Sequence, residues 1–355
     1  MTMKDLRFVD IENDAQWDTL VLSLPNYSFL LSSFRFKYAK EINERTFRFA
    51  VYNGESFLGV MCGSFGKTKL FGKYLEFKHS PMLISDEREN WEVVLEKCKS
   101  IAEEKNCFMY RISPLYVAND ALESLYRDLG MKKSPIQDID AMISQYIDLN
   151  KTEEELRHDM SDSTRNNINK LTKNPDISVK VFKDNSQFDV FADFHNQTMA
   201  KKGYVDRSTK SLMRELQLQV DVGNCYMVVG YFQNKPISIW QATVFGKYMH
   251  IYQAGSDTLF RDKNVRITYL LYWECVKLAK ELGCKVLDLF GGMVPEGYDD
   301  KKHPWGGVSA FKRSLGGRRV TYMHSRDFAV KKIMYNLYYV YSYIRTVLKG
   351  YPVNW

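Results

Sequence analysis

The sequence predicts an α/β protein, in an α+β order of strand hairpins and helices, in which one unit of about 150 residues occurs twice. Three observations lead there. The first half carries a hairpin signature, FRFAVYN, a turn at Asn53-Gly54 and ESFLGVMCGSF, and the second carries NCYMVVGYFQNKPISIWQATVFG with an Asn-containing turn in the same place. Each hairpin is followed by a helical pattern that runs into an apolar strand, EEKNCFMYRISP in one half answering KELGCKVLDLFG in the other. A basic segment then closes each repeat, YRDLGMKK answering KRSLGGRR. The expected organisation is a first domain over residues 1–150, a second over 151–325, and a C-terminal basic aromatic helix over 326–355 that packs back on the first domain.

Taken in order, Phe29 to Lys40 (FLLSSFRFKYAK) reads as an end of strand capped by Ser32 or Ser33 that leads into a helix with Lys37 and Lys40. After the first hairpin and LEFKHSPMLI, the spacing predicts an amphipathic helix from Asn90 to Lys105, the strand CFMYRISP, a helix ending YRDLGMKK, and a returning strand from Ile139 to Leu149. Thr152 to Glu155 makes a capping box, and the basic helix DSTRNNINKLTK follows. A helix holding HNQTMAKKGYVDRS precedes the second hairpin. Then come the strand YMHIYQAGSD, the helix ITYLLYWECVKLAKELG and the strand KVLDLFGG.

The stretch from Gly283 to Arg319 organises the rest. Its strand runs into a loop of about fifteen residues, Met293 to Gly307, long for a connection without structure of its own, and such loops are usually functional or disordered. Tyr298, His303, Pro304 and Trp305 argue for the ordered kind. The loop opens a short basic segment with Phe311, Lys312 and Arg313. The tail, RDFAVKKIMYNLYYVYSYIRTVLKG, has Lys331, Lys332, Arg345 and Lys349 around aromatic bulk, which also suits peripheral contact with the inner face of a membrane.

Composition removes several classes. An apolar fraction of 45% with 14% aromatics excludes global disorder, and a net charge of +7 favours anionic partners. Six cysteines without a CxxC pair read as buried or idle thiols of a reducing cytoplasm, and six scattered histidines give no metal site. The polar N-terminus MTMKDLRFVDIEND is not a signal peptide, and the apolar run Ile333 to Ile344 is too short to span a bilayer, so a cytoplasmic protein is expected. There is no GxxxxGK[ST] and no GxGxxG, and Gly307 to Phe311 (GVSAF) lacks the second glycine of a nucleophile elbow. The repeated hairpin, strand and helix pattern suggests a GNAT-type acyltransferase unit, so that the chain reads as two tandem GNAT-like domains. The turn that would cradle the pyrophosphate of coenzyme A reads FRDKNVRITYLL, and without glycine the backbone cannot approach a pyrophosphate closely.

These features together resemble the FemABX family, the aminoacyl-tRNA-dependent peptidyltransferases of peptidoglycan bridge formation. The resemblance spans nearly the whole chain: LSSFRFKYAK, FKHSPMLI, CFMYRISP, ELRHDMSDSTRNNINKL, YQAGSD, KVLDLFGG and FKRSLGG stand in the family's order. The family's long helical arm is missing, so the likeness is to its compact members. The resemblance implies a catalytic pair, Phe311 and Lys312, with the lysine stabilising the transition state. It implies that Lys40 and Arg207 bind the diphosphate of the precursor and that Tyr252 lines a peptide channel, with Tyr116 counted among the substrate-binding residues. Ser211 and Ser113 stand where the family usually has a tyrosine and an acidic residue, and the aromatic usual just after the first lysine is absent at Glu41 and Ile42. Both UDP-MurNAc-pentapeptide and lipid II stay open as acceptors.

The expected partners are therefore aminoacyl-tRNA and a peptidoglycan precursor, with no metal and no cofactor, because an amino acid esterified to tRNA is already activated. Arg313, Arg318 and Arg319, with Arg165, Lys170 and Lys173, are candidates for contacts with acceptor-stem phosphates. Two other readings remain: a GNAT-type N-acyltransferase with an acyl-CoA or acyl-carrier donor, and a non-catalytic RNA- or envelope-binding protein.

Overall fold

Turn chemistry and alternation set the first sheet of the computed structural model, which describes residues 5–42, 44–85, 87–117, 119–136, 141–202, 209–257, 265–297 and 301–351. The first half runs β1 (Leu6–Asp10), α1 (Asp14–Leu22), α2 (Ser33–Glu41), β2 (Thr46–Asn53), β3 (Ser56–Thr68), β4 (Gly72–Lys78), β5 (Met82–Leu83), α3 (Arg88–Glu104), β6 (Met109–Ser113), α4 (Asp120–Asp128) and β7 (Lys132–Lys133). Strands β2 and β3 meet at the Asn53-Gly54 turn, where Gly54 takes a left-handed φ of 59°. Helix α2 begins where the sequence puts it, but neither serine caps it. The Ser32 hydroxyl donates to the Phe29 carbonyl, and the Ser33 amide and hydroxyl donate to the Asp18 carboxylate at 2.7 and 2.6 Å. The cap thus comes from a residue fifteen positions earlier, which a local window does not contain.

The second half runs β8 (Ile143–Asp148), α5 (Glu153–Asp159), α6 (Asp162–Thr172), β9 (Ile177–Phe182), α7 (Phe188–Lys202), α8 (Thr209–Asp221), β10 (Cys225–Phe232), β11 (Lys235–Phe245), β12 (Tyr248–Ser256), α9 (Thr268–Glu281), β13 (Val286–Asp288), α10 (Gly306–Ser314), β14 (Arg318–Thr321), β15 (Arg326–Ala329) and α11 (Lys332–Leu348). The capping box at Thr152 is complete, with Thr152 and Glu155 exchanging hydrogen bonds between side chain and backbone.

The duplication is visible strand for strand. One sheet has the order β1-β2-β3-β4-β6-β15-β7, with β5 added on β3, and the other β9-β10-β11-β12-β13-β8-β14. The hairpins are antiparallel, whereas β4 with β6 and β12 with β13 are parallel, joined through α3 and α9. The sixth strand of the first sheet, β15, comes from the far end of the chain, after the second repeat, whereas β8, the sixth strand of the second sheet, opens the second half, so that sheet is built entirely from β8 to β14. The two compact units are discontinuous. One comprises Met1–Ile143, Val294–Gly306 and Val320–Trp355, the other Ser144–Met293 and Gly307–Arg319.

In the first unit, α3 packs Trp91, Val94 and Cys98 on Leu75, Phe77 and Tyr110 of the sheet. Strand β15 is fixed by a buried pair, Arg111 Nε and Nη2 donating to the two carboxylate oxygens of Asp327 at 2.6 and 2.8 Å. Helix α11 lies on this unit as expected. Tyr335 and Tyr338 pack on Phe108 and Met109, and their hydroxyls meet Asp327 and Arg111 at 3.4 and 3.3 Å. In the second unit α9 buries Leu271, Tyr272, Cys275 and Val276 against Val228, Met249 and Leu287. Phe191, Leu212 and Leu216 of α7 and α8 form a separate cluster with Met227, Val229 and Ile239. All six cysteines are free and buried, and burial pushes the Cys62 and Cys225 thiols up to about 12, which leaves them inert at neutral pH.

Two outcomes follow for stability. Asp327→Ala leaves the Arg111 guanidinium buried without its carboxylate and is expected to cost about 3–5 kcal/mol in urea unfolding. His324 is buried, with Nδ1 against the Ser325 carbonyl at 2.9 Å, and desolvation holds its imidazole down at about 4 against an ordinary 6.5. The folded state therefore resists a proton that the unfolded chain accepts, so this contribution is complete above pH 6.5 and falls by up to about 3 kcal/mol as the pH drops toward 4. Urea titrations across that window should give a flatter profile for His324→Gln than for the natural chain.

Candidate functional site

Strands β12 and β13 run together only from Tyr248 opposite Val286 to His250 opposite Asp288, and then part. Strand β12 continues to Ser256, while the chain leaves β13 at Asp288. The parting opens a cleft of about 250 Å³ at the carboxyl ends of two parallel strands, a place where open α/β sheets commonly bind ligands. One wall is Ile251 to Ser256, the other Leu289 and Phe290, and α10 supplies Val308, Phe311 and Lys312. In the first unit the matching ends of β4 and β6 leave only about 10 Å³, closed by Leu115, Met142 and Met323.

Three local devices shape the open cleft. Between β11 and β12 the register shifts, Gln241 facing Gln253 and Ala242 facing Ile251, so that Tyr252 is the extra residue of a bulge. Such a bulge re-aims a side chain, and here the Tyr252 ring meets Phe290 edge-on at 5.7 Å. Second, Phe290, Gly291 and Gly292 take φ values of 48°, 69° and 62° in succession. For Phe290 the left-handed conformation costs about 1–2 kcal/mol. Asp288 offsets it, one carboxylate oxygen accepting the Phe290 amide at 2.8 Å and also the Ser144 hydroxyl, the other meeting His250 Nδ1 at 2.9 Å.

The third device follows from the second. The left-handed run turns three carbonyls onto the Lys312 ammonium: Leu289 and Gly291 at 2.5 Å and Phe290 at 3.5 Å. The lysine is half-buried and held from the strand end, while its helix neighbour Phe311 packs edge-on to Tyr269 and Trp240 at 5.1 and 6.4 Å. A cation is thereby fixed beside an aromatic wall in a partly desolvated cleft. Its two short contacts set its position, and the long one to Phe290 is the cheapest to exchange for a ligand oxygen.

The structure thus brings Tyr252, Phe311 and Lys312 around one cleft. Lys40 lies elsewhere in the chain, exposed in the last turn of α2, in a broad depression of about 1060 Å³ shared with Lys37, Arg45 and Arg48. Lys37 and Arg48 both pair with Asp14, at 3.2 and 2.8 Å, whereas among the described residues Lys40 has no ion pair. Tyr116 packs on Trp91, and its hydroxyl accepts from the Leu83 amide at 2.7 Å and donates to the Leu83 carbonyl. Arg207 lies outside the described residues, as do Tyr298 and most of the turn FRDKNVR. Arg313 donates to Ser309 at 2.8 Å and is pushed below its ordinary value by burial and then by nearby Arg319. Arg318 stands over the Tyr146 ring at 5.7 Å, and Arg165 binds the carbonyls of Arg157, His158 and Met160 at the end of α5. Among the described residues no group of His, Cys, Asp and Glu is placed to hold a metal ion.

Sequence reasoning missed the triad Ser144, His250 and Asp288. The available signal was an aspartate inside the apolar strand KVLDLFGG, three residues before a glycine pair, where a buried carboxylate needs partners. Asp288→Ala strands three buried polar groups and should lower stability by about 3 kcal/mol or more. Hydrogen exchange of the Phe290 amide should quicken at least about tenfold relative to the sheet amides around it.

Compared with known proteins, residues 159–303 match the sequence model of the acetyltransferase (GNAT) domain. No curated protein matches the chain significantly by sequence. Among solved structures, FemX is similar at 16% identity over 94% of this chain and 99% of that one, with a TM-score of 0.78. A tandem GNAT protein from the clavulanic acid biosynthesis pathway is 12% identical over 92% and 99% of the two chains, with a TM-score of 0.56. L-PGS from Bacillus licheniformis is 11% identical over 97% and 99%, with a TM-score of 0.55. The fold is that of FemX, two tandem GNAT-like domains.

Proposed function

We propose that this FemX-like chain is an acyltransferase that moves an amino acid from aminoacyl-tRNA onto the stem-peptide amine of a peptidoglycan precursor, UDP-MurNAc-pentapeptide or lipid II. The observation that carries the reading is the Lys312 ammonium, gripped by the carbonyls of Leu289 and Gly291 in the cleft between β12 and β13, with Phe311 and Tyr252 beside it. The match to an acetyltransferase domain supports the coarser statement, acyl transfer. The aminoacyl donor and the cell-wall acceptor rest on the family resemblance of the sequence.

The chemistry asks little beyond positioning. The acceptor amine, deprotonated, attacks the ester carbonyl; the new N–C bond forms, the C–O bond to the ribose breaks, and the amine proton leaves with the ribose hydroxyl. Holding the two reactants together supplies on the order of 7–11 kcal/mol. The negative oxygen of the tetrahedral intermediate would take the place of the long Phe290 contact at Lys312, which contributes about 10² to 10³ in rate. Phe311 keeps water from the ester. In this reading Lys40 and Arg207 hold the precursor diphosphate, Tyr252 and Tyr116 line its peptide, and Arg313, Arg318 and Arg319 meet acceptor-stem phosphates. The protein would work in the cytoplasm, and an activated ester needs no further cofactor.

The test is to incubate the protein with radiolabelled aminoacyl-tRNA and each precursor and to follow label into the precursor. Transfer should fall about 10² to 10³-fold in Lys312→Met, mostly in kcat, and be unchanged in the surface control Lys105→Met. Label transfer that Lys312→Met leaves intact would remove the catalytic assignment. Tight coenzyme A binding by calorimetry, with no aminoacyl transfer, would favour an acyl-CoA donor instead.

A further inference from the structure

Helix α11 buries a stripe of hydroxyl-bearing side chains and turns its aliphatic side chains outward. Tyr335, Tyr338, Ser342 and Thr346, spaced by three or four, form the buried stripe. On the opposite side Ile333, Leu337, Val340, Ile344, Val347 and Leu348 are all exposed, Ile333 and Leu348 at 81%. A helix patterned only by packing on its own domain shows the reverse arrangement. The surface continues onto a second element. At the tip of the β3–β4 hairpin Leu70 is exposed at 70%, and the adjacent Phe71 packs against Tyr341 of the helix at 5.5 Å between ring centroids. Contiguous apolar surface of this kind, carried by two elements, marks an interaction site.

Charge identifies the occupant. Residues 328–351 contain Lys331, Lys332, Arg345 and Lys349 and no acidic residue, and the hairpin tip, residues 67–73, contains Lys67, Lys69 and Lys73 and again no acid. A second copy of this chain laid on the same face would set cations against cations, which opposes association. An anionic bilayer satisfies both halves of the surface. Branched aliphatic side chains enter the acyl boundary, lysines and arginines stay among the head groups, and Tyr341 and Tyr343, both exposed, suit the interface between. Among the described residues no helix is long and apolar enough to cross a membrane, so the helix would lie in the interface plane.

We infer that α11 and the β3–β4 hairpin tip dock this protein on membrane surfaces that carry anionic lipid. The inference stands apart from the transfer reading, because its test measures binding alone. Full-length protein is sedimented with vesicles of phosphatidylcholine, with or without phosphatidylglycerol. Partition into the phosphatidylglycerol vesicles is expected, weakening with salt. Leu337→Glu with Ile344→Glu, at exposed positions and with an unchanged circular dichroism spectrum, should reduce it at least about tenfold. Lys332→Ala and Lys349→Ala should each reduce it roughly fivefold. Val222→Glu, exposed on the second unit, should leave it unchanged. Absence of partition, partition indifferent to the double glutamate variant, or a solution dimer that this variant dissolves into monomers would each overturn the inference.

Discussion

The carboxylate of Asp288 is the constraint from which the rest of the cleft follows. It is buried at the last residue of β13 and engages Ser144, His250 and the Phe290 amide together. Removed from water, such a group is tolerated only when its lone pairs are filled, and filling them fixes the backbone that follows. The left-handed step at Phe290 is thereby imposed, the glycine pair continues it without steric cost, and three carbonyls turn onto Lys312. Positioning of the cation is thus a consequence of a hydrogen-bond network one layer behind it. Gly292 adds a backbone condition, since its φ of 62° is strained for any residue with a side chain, although a methyl group there would make only ordinary contact with the Lys312 nitrogen at 3.5 Å.

Duplication supplies two partings of parallel strands, and they have diverged. In the second unit the gap beyond Asp288 stays open and is lined by aromatic rings and one lysine. In the first, the chain beyond Ser113 is filled by Leu115 and two methionines, Met142 and Met323, and Met82 sulfur accepts the Leu115 amide. The return of β15 to the first sheet also bears on how the chain must be handled. The first sheet is not complete from one contiguous half, so cutting near residue 150 deprives it of β15 and its Arg111–Asp327 pair.

Much of this was legible in the sequence because the signals were local. The Asn53-Gly54 turn, the capping box at Thr152 and the matched helix-to-strand passages EEKNCFMYRISP and KELGCKVLDLFG each lie within a short window, and they carry the tandem α/β architecture. What escaped depends on partners distant in the chain. The α2 cap comes from Asp18, Ser144 reaches Asp288 across 144 residues, and the return of β15 to the first sheet is written in no window at all. The order of motifs points to Phe311, Lys312 and Tyr252, which line one cleft. The reason Lys312 points where it does became visible only with the left-handed run at 290–292. The tail helix was legible as a helix, but its inverted polarity was not, because which stripe of an aromatic helix faces the protein depends on what packs against it.

In the proposed reaction Lys312 stabilises a developing oxyanion and contributes little to holding the ground state. The most direct measurement is calorimetric binding of a phosphonamidate that joins the phosphonate analogue of an amino acid to the stem-peptide amine, compared with binding of the unreacted precursor. The natural chain is expected to bind the phosphonamidate at least about 10²-fold more tightly than the precursor, and Lys312→Met to abolish this difference while leaving precursor affinity intact. Equal binding of the two ligands by the natural chain, or a preference that survives in Lys312→Met, would contradict it.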